Sequence, residues 1–153
     1  MTIMPRVKRL PALLLLLSAC SSGGEPGPEG WKRVGNPDAF TFHLPGDFAE
    51  QSAREYRNAT TTLTVDFGQD TDPLTSPAPA GAERSVDSVI VEQYPARIVR
   101  TSLPARQRWE VAIHVWGFGQ DENTGLTMSL VSSVPLSSSF TNRIFSTIHF
   151  AAR

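Results

Sequence analysis

The chain has 153 residues, a formal net charge of −1, 40% hydrophobic and 19% charged residues. That length suits one domain, the apolar content is too high for wholesale disorder, and the even charge lacks the basic excess of a nucleic-acid binder. A single cysteine excludes a disulfide framework and any multi-cysteine zinc site.

The N-terminal stretch has the layout of a secretory signal. Arg6, Lys8 and Arg9 form a basic region, and Leu10 to Leu17 an apolar run broken only by Pro11 and Ala12. A spanning helix needs about 20 apolar residues, so this run is too short to be one. Leu17-Ser18-Ala19-Cys20 follows at once. These four residues resemble the lipobox of bacterial lipoproteins, with Leu at −3, small residues at −2 and −1, and the cysteine whose thiol takes a diacylglycerol. The resemblance implies that residues 1–19 are removed, that Cys20 is lipidated, and that the chain is membrane-anchored in the bacterial cell envelope. Ser21 after the cysteine, in place of the retaining Asp, implies the outer membrane, facing the periplasm. Loss of Arg6, Lys8 and Arg9 leaves 11 basic against 15 acidic residues, a mature charge of −4. Two or three acyl chains at about 0.8 kcal/mol per buried methylene make such an anchor close to permanent. Residues 20–30 then form a tether of Gly, Ser, Pro and two acids, with a root-mean-square reach of about 15–20 Å.

From Trp31 to the C-terminus the pattern is that of a single domain, residues 31–153. Phe40, Phe42 and Leu44 alternate with Thr41 and His43, and Pro45-Gly46-Asp47 stops that strand. Ala53 to Arg57 reads as a second strand. Thr61 to Phe67 places Leu63, Val65 and Phe67 on one face and Thr62, Thr64 and Asp66 on the other. Gly68 to Gly81 is a long loop rich in Pro, Gly and Asp. Strands follow over Val86 to Glu92 and Ala96 to Thr101, with a turn at Gln93-Tyr94-Pro95. Trp109, Val111, Ile113 and Val115 alternate with Glu110, Ala112, His114 and Trp116, and Leu126, Met128 and Leu130 with Thr127 and Ser129. Leu136, Phe140, Ile144 and Ile148 then recur at four-residue spacing, one apolar stripe of a helix that Pro135 and the serines at 137–139 would start. Thr147 to Phe150 reads as a short last strand, so Ile148 could belong to either element. These elements predict an α+β domain: a twisted antiparallel sheet with a C-terminal helix packed on one face.

The order Gly30-Trp31, Phe-Thr-Phe-His-Leu-Pro (40–45), Leu-Thr-Val-Asp-Phe-Gly (63–68), Pro-Ala-Arg-Ile-Val (95–99) and Ile-Phe-Ser-Thr-Ile-His-Phe (144–150) resembles the PsbP-like fold of photosystem extrinsic subunits and DcrB-type envelope lipoproteins. The resemblance covers about residues 31–151. It implies a twisted antiparallel sheet with helices packed on it, and adaptor, assembly or binding roles rather than catalysis.

Strand parity gathers the candidate functional residues. His43, Asp66, Glu110 and His114 share the outward parity with Thr41, Thr62 and Thr64, and could meet on the second face of one sheet. Imidazole and carboxylate are divalent-metal ligands, but no local spacing such as His-x-x-x-His accompanies them, so a polar solvated face is expected and no metal or other cofactor. No serine sits in a nucleophile elbow, and nothing in the sequence pairs a serine with His43, His114 or His149, so no catalytic residues are assigned and the chain is read as a non-enzyme. Gly117-Phe118-Gly119, Asp121 to Gly125 and Asp70-Thr71-Asp72 match neither a phosphate loop nor a calcium loop and read as turns. Trp116 and Phe118 flank Gly117 at a strand end, where exposed aromatics would suit a protein or ligand contact. Arg97, Arg100, Arg106 and Arg108 cluster in sequence and would suit acidic headgroups or an acidic partner if they formed one patch. The candidate interaction surface is therefore Trp116, Phe118, His114, His43 and Asp66. The expected role is a non-catalytic interaction or adaptor domain, bound to the membrane through Cys20 and to an envelope protein. The alternative is a carrier of a small molecule, lipid or metal on the exposed sheet face.

Overall fold

The computed structural model describes residues 27–68, 71–119 and 124–152. Cys20 and most of the expected tether lie outside them. No helix among the described residues is long and apolar enough to cross a membrane.

Among the described residues, ten strands and one α-helix follow in order: β1 Trp31–Asn36, β2 Phe40–Pro45, β3 Ala49–Ser52, β4 Glu55–Arg57, β5 Thr61–Gly68, β6 Glu83–Val91, β7 Tyr94–Leu103, β8 Arg108–Trp116, β9 Gly125–Ser132, α1 Ser138–Phe145 and β10 His149–Phe150. They form two antiparallel sheets, one of three strands in the order β1-β2-β10 and one of seven in the order β3-β4-β5-β9-β8-β7-β6. Strand accounts for 54% of the described residues, and helix, two three-residue 3-10 turns included, for 12%. The expected α+β layout, one sheet under a C-terminal helix, is therefore wrong: the fold is sheet-rich, and a second sheet does most of the covering.

The reason lies in the apolar stripe at 136–148. Only Phe140 and Ile144 of its four members are helical, because α1 starts after the Ser137 cap and ends at Ser146. Leu136 precedes the helix, and Ile148 leads into β10. Ser137 has extended backbone, and its hydroxyl accepts from the Phe140 amide at 3.1 Å. A helix of eight residues has few internal bonds to lose, so this cap matters. Ser137→Ala should cost about 1 kcal/mol, read as a fall of about 0.5 M in the urea midpoint.

The two layers meet along β2 and α1. Phe42 is stacked against Phe40 and sits edge-on to Tyr56 of β4, at 6.3 and 5.7 Å between ring centroids. The small sheet thus covers the β4–β5 half of the large sheet. Helix α1 covers part of the other half: Arg100 of β7 donates to Thr141 Oγ1 and Asn142 Oδ1, and Ile144 and Phe145 are buried. Leu63, Leu126, Met128, Leu130, Ile113 and Val115 form the inner face of the large sheet. All of these obey the alternation read from the sequence, since one inward face per strand is what a two-layer sandwich requires.

The sequence placed a turn at Gln93-Tyr94-Pro95. The hairpin instead turns at Glu92-Gln93, with Val91 opposite Tyr94, and Glu92 takes the left-handed conformation at φ 55°. Tyr94 and Pro95 belong to β7. Strands β1 and β3, six and four residues long and mostly polar, have no clean apolar alternation to mark them in the sequence.

Candidate functional site

Residues of even number on β8 point away from the core, and the pairing sets them beside outward residues of their neighbours. Asp66 of β5 lies opposite Thr127 of β9, Thr127 opposite His114 of β8, His114 opposite Arg97 of β7, and Arg97 opposite Ser88 of β6. One polar row therefore crosses five strands of the outer face.

A loop lies over the middle of this row. Thr127 Oγ1 donates to the Thr71 carbonyl at 2.5 Å, Arg97 pairs with Asp72 at 3.1 Å, and Arg84 donates to the Ser76 carbonyl at 2.9 Å. The Thr127 hydroxyl has one proton, and the Thr71 carbonyl takes it. At 2.9 Å from His114 Nδ1, the same oxygen must then accept, so His114 carries its proton on Nδ1. Trp116 stacks on the imidazole at 5.6 Å and 22°, and the Arg97 guanidinium lies 4.8 Å from the Trp116 ring centroid. Gly125 is required beside this stack: a Cβ there would come within 2.5 Å of His114 Cε1. Burial pushes His114 below its ordinary value; the Asp72 carboxylate acts in the opposite direction, and the Arg97 guanidinium adds a smaller push downward. A neutral imidazole, buried under an indole and hydrogen-bonded to a threonine that is itself tied to a loop, is a latch for that loop. Between loop and sheet runs a polar cleft of about 420 Å³, lined by Asp66, Asp72, Arg84 and Glu110 among hydroxyl side chains.

The candidate interaction residues thus separate. His114 and Asp66 share the outer face with Thr127 between them, but His114 is buried and Asp66 exposed. Trp116 is half-buried in the stack. Phe118 turns inward after Gly117 (φ 79°) and packs on Phe150, its ring 4.5 Å away, with 7% of its surface exposed. Its place is the core, because the strand end folds back over the open side of the sandwich. His43 belongs to the other sheet and never meets His114; it faces a second cleft with His149. The four arginines scatter as well. Arg97 faces outward to Asp72, Arg100 faces inward to α1, Arg106 is exposed in the turn between β7 and β8, and Arg108 pairs with Glu110 at 3.5 Å.

Sequence reasoning missed the loop latch, although Asp72-Pro73 and the outward parity of Thr127 and Arg97 were its only signals. It also missed the edge of β6, which has no strand on its outer side among the described residues. Among the described residues no group of three or more His, Cys, Asp or Glu side chains is placed to hold a metal ion. No family model and no curated protein matches the chain.

Proposed function

We propose that this chain is a lipid-anchored domain of the bacterial cell envelope that acts without catalysis, by accepting a strand of a partner protein on the open edge of β6. The supporting observation is the contrast between the two edges of the large sheet. Edge strand β3 has four residues, and its pairing with β4 is irregular between Glu50 and Ser52. Edge strand β6 has nine residues in unbroken register with β7. Short, bulged edges resist further pairing; long regular ones invite it. On β6 the side chains of Ile90 and Val86 are 74% and 46% exposed and lie on the same face two residues apart from Ser88. An incoming strand would cover both and pair with the free backbone groups. The lipobox-like Leu17 to Cys20 supplies the anchor in this reading.

The test is cross-linking of the intact protein in living cells, with Cys20→Ser as the mislocalised control and Val86→Lys/Ile90→Lys as the edge control. A specific envelope protein recovered with the wild type and lost from both variants is the expected result. Equal recovery from the lysine variant rejects the β6 edge, and a Cys20 peptide without acyl mass rejects the anchor.

A second reading, a carrier, is favoured by one feature. An apolar cleft of about 400 Å³ opens between β6 and α1, lined by Val89, Val91, Ile98, Ile113, Phe145 and Ile148. Native mass spectrometry decides: a carrier retains a small apolar molecule, and the adaptor does not.

A further inference from the structure

The outer face of the small sheet carries a second constellation. Strand pairing sets Arg33 opposite His43 and Thr41 opposite His149. The start of the described chain, Gly27-Pro28, and the C-terminal end of α1 wall in these residues, making a cleft of about 490 Å³ that also takes in Arg143 and Ser146. Gly27 sits directly on the His43 ring, where a Cβ would collide with the imidazole.

Hydrogen-bond donors dominate this cleft. Arg33 uses Nε on Thr41 Oγ1 at 3.2 Å, which leaves its two terminal nitrogens for other partners. Among the described residues neither Arg33 nor Arg143 has a carboxylate within 4.0 Å. The cleft's one carboxylate, Glu92, is already engaged, by His149 Nδ1 at 2.5 Å and the Phe150 amide at 3.4 Å. Thr41 is 4% exposed, so its hydroxyl is a fixed support for the Arg33 fork. His43 Nδ1 is buried with no hydrogen-bond partner in the structure. Arg143 is held over the Trp31 ring, its Cζ 5.3 Å from the centroid. Burial and then the Arg33 charge push His43 below its ordinary value, so of His43, Arg33 and Arg143 the two guanidiniums carry the positive charge.

We propose that this cleft binds a phosphate group, with Arg33 and Arg143 as its two cationic arms and the imidazoles of His43 and His149 as its floor. Two guanidinium forks without carboxylate partners match the charge and the oxygen geometry of a phosphate. The position of the cleft suggests where the phosphate comes from. In the anchored protein proposed above, Gly27 lies seven positions after Cys20, a reach of at most about 25 Å, so the cleft lies within range of lipid headgroups. The mature charge of −4 opposes general adsorption to an anionic surface. Attraction to such a surface must therefore come from a local site. The proposal does not depend on the β6 edge.

The experiment uses the mature chain, residues 20–153, with Cys20→Ser so that no acyl group contributes. Three probes are compared: inorganic phosphate, vesicles of phosphatidylcholine, and vesicles of phosphatidylcholine with phosphatidylglycerol. The chain has three histidines; the imidazole NMR signals of His43 and His149 report the cleft, and that of His114, on the other sheet, is the internal control. The expected result is saturable movement of the His43 and His149 signals alone, and at least tenfold weaker binding in Arg33→Gln/Arg143→Gln. Both arginines are exposed, so that variant should keep its fold, which its urea curve checks. Arg54→Gln/Arg57→Gln, on the far end of the large sheet, should bind as the wild type does. Response to inorganic phosphate supports the site with a free anion as ligand. Response to the anionic vesicles alone supports it with a headgroup as ligand. Binding unchanged in the Arg33/Arg143 variant, lost equally in the Arg54/Arg57 variant, or absent with every probe overturns the proposal.

Discussion

Phe42→Ala should lower the unfolding free energy by about 3–5 kcal/mol, the range for removing a buried aromatic ring. Phe42 is 1% exposed at the middle of β2, and its ring touches both layers, Phe40 on its own strand and Tyr56 across the interface. The small sheet has only three strands, one of them two residues long, so it relies on such contacts to stay docked. Domains of this size are stable by about 5–15 kcal/mol, so the loss is about a fifth of the total or more. Urea unfolding followed by fluorescence of the three tryptophans measures it. Phe67→Ala is the matched control. Phe67 stacks against Phe40 but is 44% exposed, and less than half the cost of Phe42→Ala is expected. Equal costs for the two variants would falsify the docking of the small sheet described above.

That same residue marks how far the sequence could be read. The alternation Phe40, Phe42, Leu44 identifies a strand and its buried face, because a period of two has only one structural meaning over five residues. It does not say which layer the buried face meets. Leu63, Val65, Ile113 and Met128 were legible for the same reason, and they form the inner face of the large sheet. The helix was over-read at its start, because Leu136 keeps the four-residue spacing while packing from non-helical backbone, and Ile148, open between helix and strand, lies outside the helix just before β10. With a helix of only eight residues, the covering layer had to be something else, and β2 supplied it, with β1, which has no clean apolar pattern of its own, paired along its side. The polar residues show the same limit. Parity placed Asp66, Thr127 and His114 on one face, and strand order made them neighbours. Parity also placed His43 outward, but on a different sheet. Burial of Phe118 depended on the backbone reversal at Gly117, which no periodicity encodes.

Thr127→Val should be the second most costly of these changes for its size, and its cost should depend on pH. Valine keeps the shape but removes the one hydroxyl that both accepts from His114 and donates to the Thr71 carbonyl. Two polar groups then lose their partner in a site where Thr127 and His114 are 7% and 6% exposed, and unsatisfied buried groups cost about 1–3 kcal/mol each. The sign of the pH effect in the wild type follows from the imidazoles. Burial lowers His114, and likewise His43, below the ordinary histidine value near 6.5. Below that value the unfolded chain binds protons that the folded chain resists. Stability therefore rises with pH up to about 6.5 and is level with respect to these groups above it. Carboxylates contribute mainly below about pH 5, so the interval from pH 5.5 to 7.5 isolates the histidines. The wild-type urea midpoint should be lower at pH 5.5 than at 7.5. In His114→Gln the difference should shrink but not vanish, because His43 retains its share. A midpoint independent of pH across that interval would show that neither imidazole is held neutral by the fold, and the latch beneath the 71–82 loop would then have to be drawn without it.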